Sequence, residues 1–122
     1  MKRNTLGAFI ISKRKEKNFS ARQLAIKCNI SAPYMCDIEN GKRTPTFEVL
    51  QRISSVLEMT DENTYKLLDL AAKNSKNRVP YDIVEYIMKN ASLRKCIREK
   101  MKNNDYSGWE KALEDNEQEE VK

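Results

Sequence analysis

SARQLAIKCNISAPYMCDIENGKRTP, residues 20–45, is the stretch that decides the fold. Ser20 with Gln23 three residues on has the spacing of a capping box, in which hydroxyl and amide each bond the other's backbone. It opens a short helix that ends near Lys27 or Cys28, with Leu24, Ala25 and Cys28 facing inward. Asn29 breaks that helix because asparagine accepts a positive φ more readily than most residues. Ile30 returns to the core, and Ser31 caps a second helix of about nine residues with Pro33 in its first turn, where a missing N–H costs little. Met35 and Ile38 lie one turn apart on its inner face, and Asn40-Gly41 ends it. Two short helices joined by a tight turn, followed by the basic connection Lys42-Arg43-Thr44-Pro45, suit a major groove about 12 Å wide.

Outward from this core the chain continues as helices. A first helix is expected from about Asn4 to Lys17, with Leu6, Ile10 and the stem of Arg14 along one face. Lys13, Lys15 and Lys17 then form a solvated face, and Asn18 ends the helix in a left-handed conformation. Thr46 caps a fourth helix carrying Phe47, Leu50, Ile53 and Leu57. Thr60-Asp61-Glu62 opens a fifth, with acids where the helix dipole favours them and an inner face of Tyr65, Leu68 and Ala72 beside Leu67 and Ala71. Residues 73–79 read as a polar linker. After Pro80, helices are expected over about 81–89 (Ile83, Val84, Ile87, Met88) and about 92–102 (Leu93, Ile97, Met101), then a short one holding Trp109 and Leu113. The expected organisation is all-α. Residues 1–73 form a five-helix DNA-binding domain, residues 80–114 a small helical extension, and residues 115–122 an acidic tail.

Composition limits the function. Residues 1–45 carry ten Lys/Arg against three Asp/Glu, whereas residues 110–122 carry two against six. A basic N-terminal part points to a polyanionic partner. Histidine is absent and the three cysteines, Cys28, Cys36 and Cys96, include no CxxC pair. The common zinc sites and a His-dependent triad are therefore out of reach, and no enzyme, metal or cofactor is expected. The longest mostly apolar run, residues 5–11, is far short of the roughly 20 residues a membrane span needs. Free thiols and a cytoplasmic location are the expectation.

Particular residues carry a family likeness. Leu6-Gly7, Arg14, Ser20 with Leu24-Ala25, Ile30-Ser31, Tyr34-Met35 and the run Ile38-Glu39-Asn40-Gly41-Lys42-Arg43 with Pro45 resemble the Xre family, the helix-turn-helix of Cro and phage-repressor type. Leu50, Ile53 and Leu57 extend the likeness, which spans residues 5 to about 60. It implies a lambda-repressor-like fold and binding to double-stranded DNA. By position it places Ala32, Pro33 and Asp37 at base edges and Arg22, Tyr34, Asn40, Lys42 and Arg43 at phosphates. Glu39 takes the place of the family's buried acid, paired with Arg14. The chain departs from the family at Ala21 and Ala32, where glutamines that read adenine are frequent. Ala32 and Pro33 offer only apolar contact, and Asp37 is suited to accept from a cytosine amine. DNA shape and a Lys2-Arg3 arm would supply further selectivity.

A single helix-turn-helix gives limited affinity, and two copies about one DNA turn apart read a palindrome. Ile83, Ile87, Leu93, Ile97, Met101 and Trp109 are the candidate dimer or partner interface. The leading expectation is a homodimeric bacterial or phage repressor of a palindromic operator. The alternative is an antitoxin-type protein that neutralises a partner protein and regulates its own expression through the same module.

Overall fold

The computed structural model describes residues 5–73 and 79–115, in which eight helices and no strand occur. They are α1 (Leu6–Glu16), α2 (Ala21–Lys27), α3 (Ala32–Glu39), α4 (Phe47–Val56), α5 (Asp61–Ala72), α6 (Tyr81–Met88), α7 (Ala91–Asn103) and α8 (Glu110–Asp115). The Lys2-Arg3 arm, residues 74–78 of the expected linker and the acidic tail beyond Asp115 lie outside the described residues.

The starts of α1–α5 follow one rule. Thr5, Ser20, Ser31, Thr46 and Thr60 hold extended backbone, and each side-chain oxygen accepts a backbone N–H three residues on. Each satisfies a donor that the first helical turn leaves open. At Ser20 the box is complete: the Gln23 amide N–H meets Ser20 Oγ at 3.0 Å, and Gln23 Oε1 accepts from the Ser20 N–H at 2.8 Å. The first helix begins at Leu6 with Thr5 as its cap, later than the residue 4 start expected, because the Thr5 hydroxyl takes the Ala8 N–H.

Helix ends share a second device. A left-handed residue follows α1 (Asn18), α2 (Asn29), α3 (Gly41) and α4 (Glu58), and Asn104 plays the same part after α7. In each case the next residue's N–H reaches back five positions to a carbonyl: Phe19 to Arg14, Ile30 to Ala25, Lys42 to Asp37, Met59 to Ser54 and Asp105 to Lys100. This Schellman closure satisfies carbonyls the helix end would otherwise strand. At three of these ends the residue after the turn is apolar, and Phe19, Ile30 and Met59 fold back against the core.

Packing groups the chain into two units, Met1–Glu85 and Tyr86–Lys122, with the boundary inside α6. The core of the first is Leu6, Ile10, Leu24, Ala25, Cys28, Met35, Ile38, Val49, Leu50, Ile53, Leu57, Leu67, Leu68, Leu70 and Ala71. Fully burying one Leu, Ile or Met contributes about 1.5–3 kcal/mol, so α1–α5 hold together by apolar burial. Tyr81 also belongs here; its ring lies 5.6 Å from that of Phe47 and packs against the core.

Three expectations need correction, two in this unit and one in the second. Tyr65 is 57% exposed, and Leu70 takes a buried place on α5. Val49, not placed on the expected stripe of α4, is buried, and Phe47 is half-buried with its side chain packed against the core. The expected Leu50, Ile53, Leu57, Leu67, Leu68, Ala71 and Ala72 stay buried, so the inner faces of α4 and α5, which pack on each other as well as on α2 and α1, are wider than one stripe. The third concerns Trp109, which precedes α8 and accepts the Leu113 N–H at its carbonyl rather than lying inside the helix.

In the second unit no described residue of α7 or α8 is buried. Polar contacts join its parts: Arg94 Nη1 donates to the carbonyls of Ile87 and Met88 at 3.0 and 2.7 Å, and Lys100 Nζ donates to Ser107 O at 2.7 Å. The Lys100 ammonium also lies 5.1 Å from the centre of the Trp109 ring, a cation–π contact.

Candidate nucleic-acid interface

The interface is built on α3, and α3 is fixed from behind. Met35 and Ile38 are buried against α2 and α1, which pack on α3. Gly7 allows α1 to come this close, since a Cβ there would overlap the Glu39 carbonyl. At the same crossing Arg14 grips Glu39 with a fork: Nε to Oε2 at 2.7 Å and Nη2 to Oε1 at 3.0 Å. Its remaining nitrogen, Nη1, donates to the Phe19 carbonyl at 3.3 Å. The two side chains are 14% and 8% exposed, so this is a largely buried, fully bonded pair. The hydrogen bond to Glu39 holds the Arg14 guanidinium even further above its ordinary range. The structure therefore brings together the pair read from the sequence.

With Met35 and Ile38 inward, Ala32, Pro33, Cys36 and Asn40 are exposed, and Tyr34 and Asp37 are half-buried. Cys36 was not singled out for this face; it lies one turn beyond Ala32 and accepts a hydrogen bond from Asn40 Nδ2 at 3.4 Å. Lys42 and Arg43 are exposed just past the end of α3, and Arg22 is exposed on α2.

Arg43 is held back toward α3. Its backbone N–H donates to the Asp37 carbonyl at 3.3 Å, its Nε lies 3.9 Å from Asp37 Oδ2, and its guanidinium sits 5.2 Å from the Tyr34 ring centre. Sequence spacing gave no sign of this, because the Gly41 turn, with φ of 79°, redirects the chain. Arg52 was missed as well. It donates from Nη1 to the Cys28 carbonyl at 3.3 Å and from Nη2 to Glu48 at 2.8 Å, tying the end of α2 to α4.

The candidate interface residues of the C-terminal part fall in both units. Ile83 lies in the first and is 47% exposed. Ile87, Leu93 and Ile97 are half-buried in the second unit, where Met101 and Trp109 are exposed. No helix among the described residues is long and apolar enough to cross a membrane.

Two short helices with a left-handed turn between them, a fixed inner face and a basic outer rim define a helix-turn-helix. A family model for the helix-turn-helix matches residues 10–62. The HTH-type transcriptional regulator SinR of Bacillus licheniformis is 30% identical over 119 residues, covering 89% of this chain and 97% of SinR. The ImmF control region 10 kDa protein of Bacillus phage phi105 is 37% identical over 65 residues, 53% of this chain and 71% of its own length. An uncharacterized HTH-type transcriptional regulator of Mycobacterium tuberculosis is 39% identical over 59 residues, 48% of this chain and 42% of its own. The chain thus spans less than half the length of that mycobacterial relative. No solved structure matches. The chain belongs to the Cro/C1-type helix-turn-helix family, the family of these transcriptional regulators.

Proposed function

We propose that the chain is a sequence-specific DNA-binding regulator that acts as a homodimeric repressor of a palindromic operator. The observation that carries this reading is the outer face of α3, rigidly backed by the Arg14–Glu39 fork and bordered by exposed cations. Ala32, Pro33 and Asp37 face the base edges; Arg22, Tyr34, Asn40, Lys42 and Arg43 lie where a phosphate backbone would pass. Phosphate contacts supply affinity that falls with salt, and the base-facing residues supply selection.

Exposed apolar side chains beyond residue 80 support association of two copies, which would set two recognition helices about 34 Å apart. A repressor then acts by occupancy, covering a promoter that another protein must reach.

Selection from a random duplex pool tests the reading. The expected product is a site with two-fold symmetry, bound with a steep inverse dependence on salt. Lys42→Ala is expected to weaken every duplex alike and to lower the salt slope by about one unit. Enrichment of no sequence would remove the sequence-specific part of the proposal.

A further inference from the structure

Asp37 and Arg43 are not independent groups on the outer face. Tyr34 and Asp37 are three residues apart on α3, so their side chains share one edge of the helix. Arg43 returns over that edge and touches both: its Nε is 3.9 Å from Asp37 Oδ2 and its guanidinium 5.2 Å from the Tyr34 ring centre. The Asp37 carbonyl also accepts the N–H groups of Lys42 and Arg43, at 2.8 and 3.3 Å, which fixes where the Arg43 side chain begins. Among the described residues, Nη1 and Nη2 of Arg43 meet no acceptor, and the side chain is 63% exposed. The result is a fork with its inner nitrogen toward a carboxylate, its central carbon over an aromatic ring and its two outer nitrogens open.

A fork so presented matches the paired O6 and N7 acceptors on the major-groove edge of guanine, the commonest partner of a bidentate arginine. An arginine that serves only a phosphate needs no carboxylate beside it, because that carboxylate repels the phosphate. An arginine that reads a base gains from a neighbour that fixes its plane. We infer that Arg43 is the polar base reader of this protein, selecting a guanine in each half-site, and that Asp37 is its positioning residue rather than a reader of cytosine. The inference rests on the DNA-binding reading above and revises the roles of two residues within it. It also explains how α3 achieves selectivity when its first exposed residues, Ala32 and Pro33, carry no hydrogen-bonding side chain.

The test separates these roles with base analogues. In the duplex recovered by selection, each guanine of a half-site is replaced singly by 7-deazaguanine, which lacks the N7 acceptor and keeps the cytosine partner. At one position the full-length protein is expected to lose affinity on the order of tenfold, within the roughly 5- to 150-fold worth of a bidentate pair. Arg43→Ala is expected to be indifferent to the analogue there. Asp37→Asn is expected to show a reduced penalty with its salt slope unchanged, and Asp37→Glu to restore part of it. A fold defect alone would lower affinity for all duplexes and leave the analogue penalty intact.

If no guanine is sensitive and Arg43→Ala weakens all duplexes alike with a lower salt slope, Arg43 is a phosphate contact. The inference is then overturned while DNA binding stands. If Asp37→Asn retains the full penalty, the positioning role is overturned. If selection enriches nothing, the underlying functional reading fails along with it.

Discussion

Arg14 and Glu39 hold α1 to α3 through a forked ion pair that is largely shielded from water. Such a pair need not add much net stability, but removing one partner leaves a buried charge uncompensated. Glu39→Gln is expected to lower unfolding free energy by about 3–5 kcal/mol, measured by urea denaturation. The double change Arg14→Met with Glu39→Leu should cost much less, since no charge is then stranded. Cys28 offers a second residue-level test. Burial pushes its thiol up to about 11 from an ordinary 9.0, partly offset by the Arg52 guanidinium. A thiol raised in the folded state leaves the unfolded chain holding fewer protons above its own pKa, so stability is full below about pH 9 and falls as pH rises toward 11. Cys28→Ala should flatten that decline in melting temperature between pH 9 and 11. At neutral pH a thiol reagent should modify exposed Cys36 and Cys96 quickly and Cys28 only on unfolding.

At the scale of elements, much was legible because the starts of α1–α5 and the ends of α1–α4 depend on local chemistry. Ser20, Ser31, Thr46 and Thr60 announced helix starts, and Asn18 and Asn29 announced left-handed turns, since these side chains bond or tolerate the backbone found there. Glu58 gave no such signal, yet it adopts φ of 51° at the end of α4. There the Schellman closure of Met59 onto Ser54 imposes the conformation, and the carboxylate is occupied by Lys17 at 2.7 Å. Glu58→Asn is expected to raise the melting temperature, because asparagine accepts this backbone more easily and the exposed ion pair contributes little. A fall would mean that the Lys17 contact matters more than the backbone. What stayed illegible was set by neighbours distant in sequence. Whether Tyr65 or Leu70 turns inward depends on how α5 meets α4 and α1, and the bracket around Arg43 depends on where the Gly41 turn sends the chain.

For the whole molecule, the contrast between the two units matters most. Met1–Glu85 closes its own core, whereas α7 and α8 bury no described side chain. Apolar side chains left this open favour association. The full-length protein is expected to sediment as a dimer at micromolar concentration, and Ile97→Asp or Met101→Asp to shift it toward the monomer. Their circular dichroism should stay close to that of the parent, because neither residue belongs to the α1–α5 core. A dimer unchanged by both substitutions would move the interface to the first unit. Loss of dimer should also reduce affinity for a two-half-site duplex far more than for a single half-site.

Whether the outer face of α3 selects DNA sequence is decided by the ratio of two affinities. Binding of the full-length protein is measured at one physiological salt concentration to its selected site and to a scrambled duplex of the same length and composition. The selected site is expected to bind tighter by a factor of at least about 10³, the lower end for specific regulators. Equal affinity for the two duplexes would contradict it, leaving a basic surface that holds DNA without reading it.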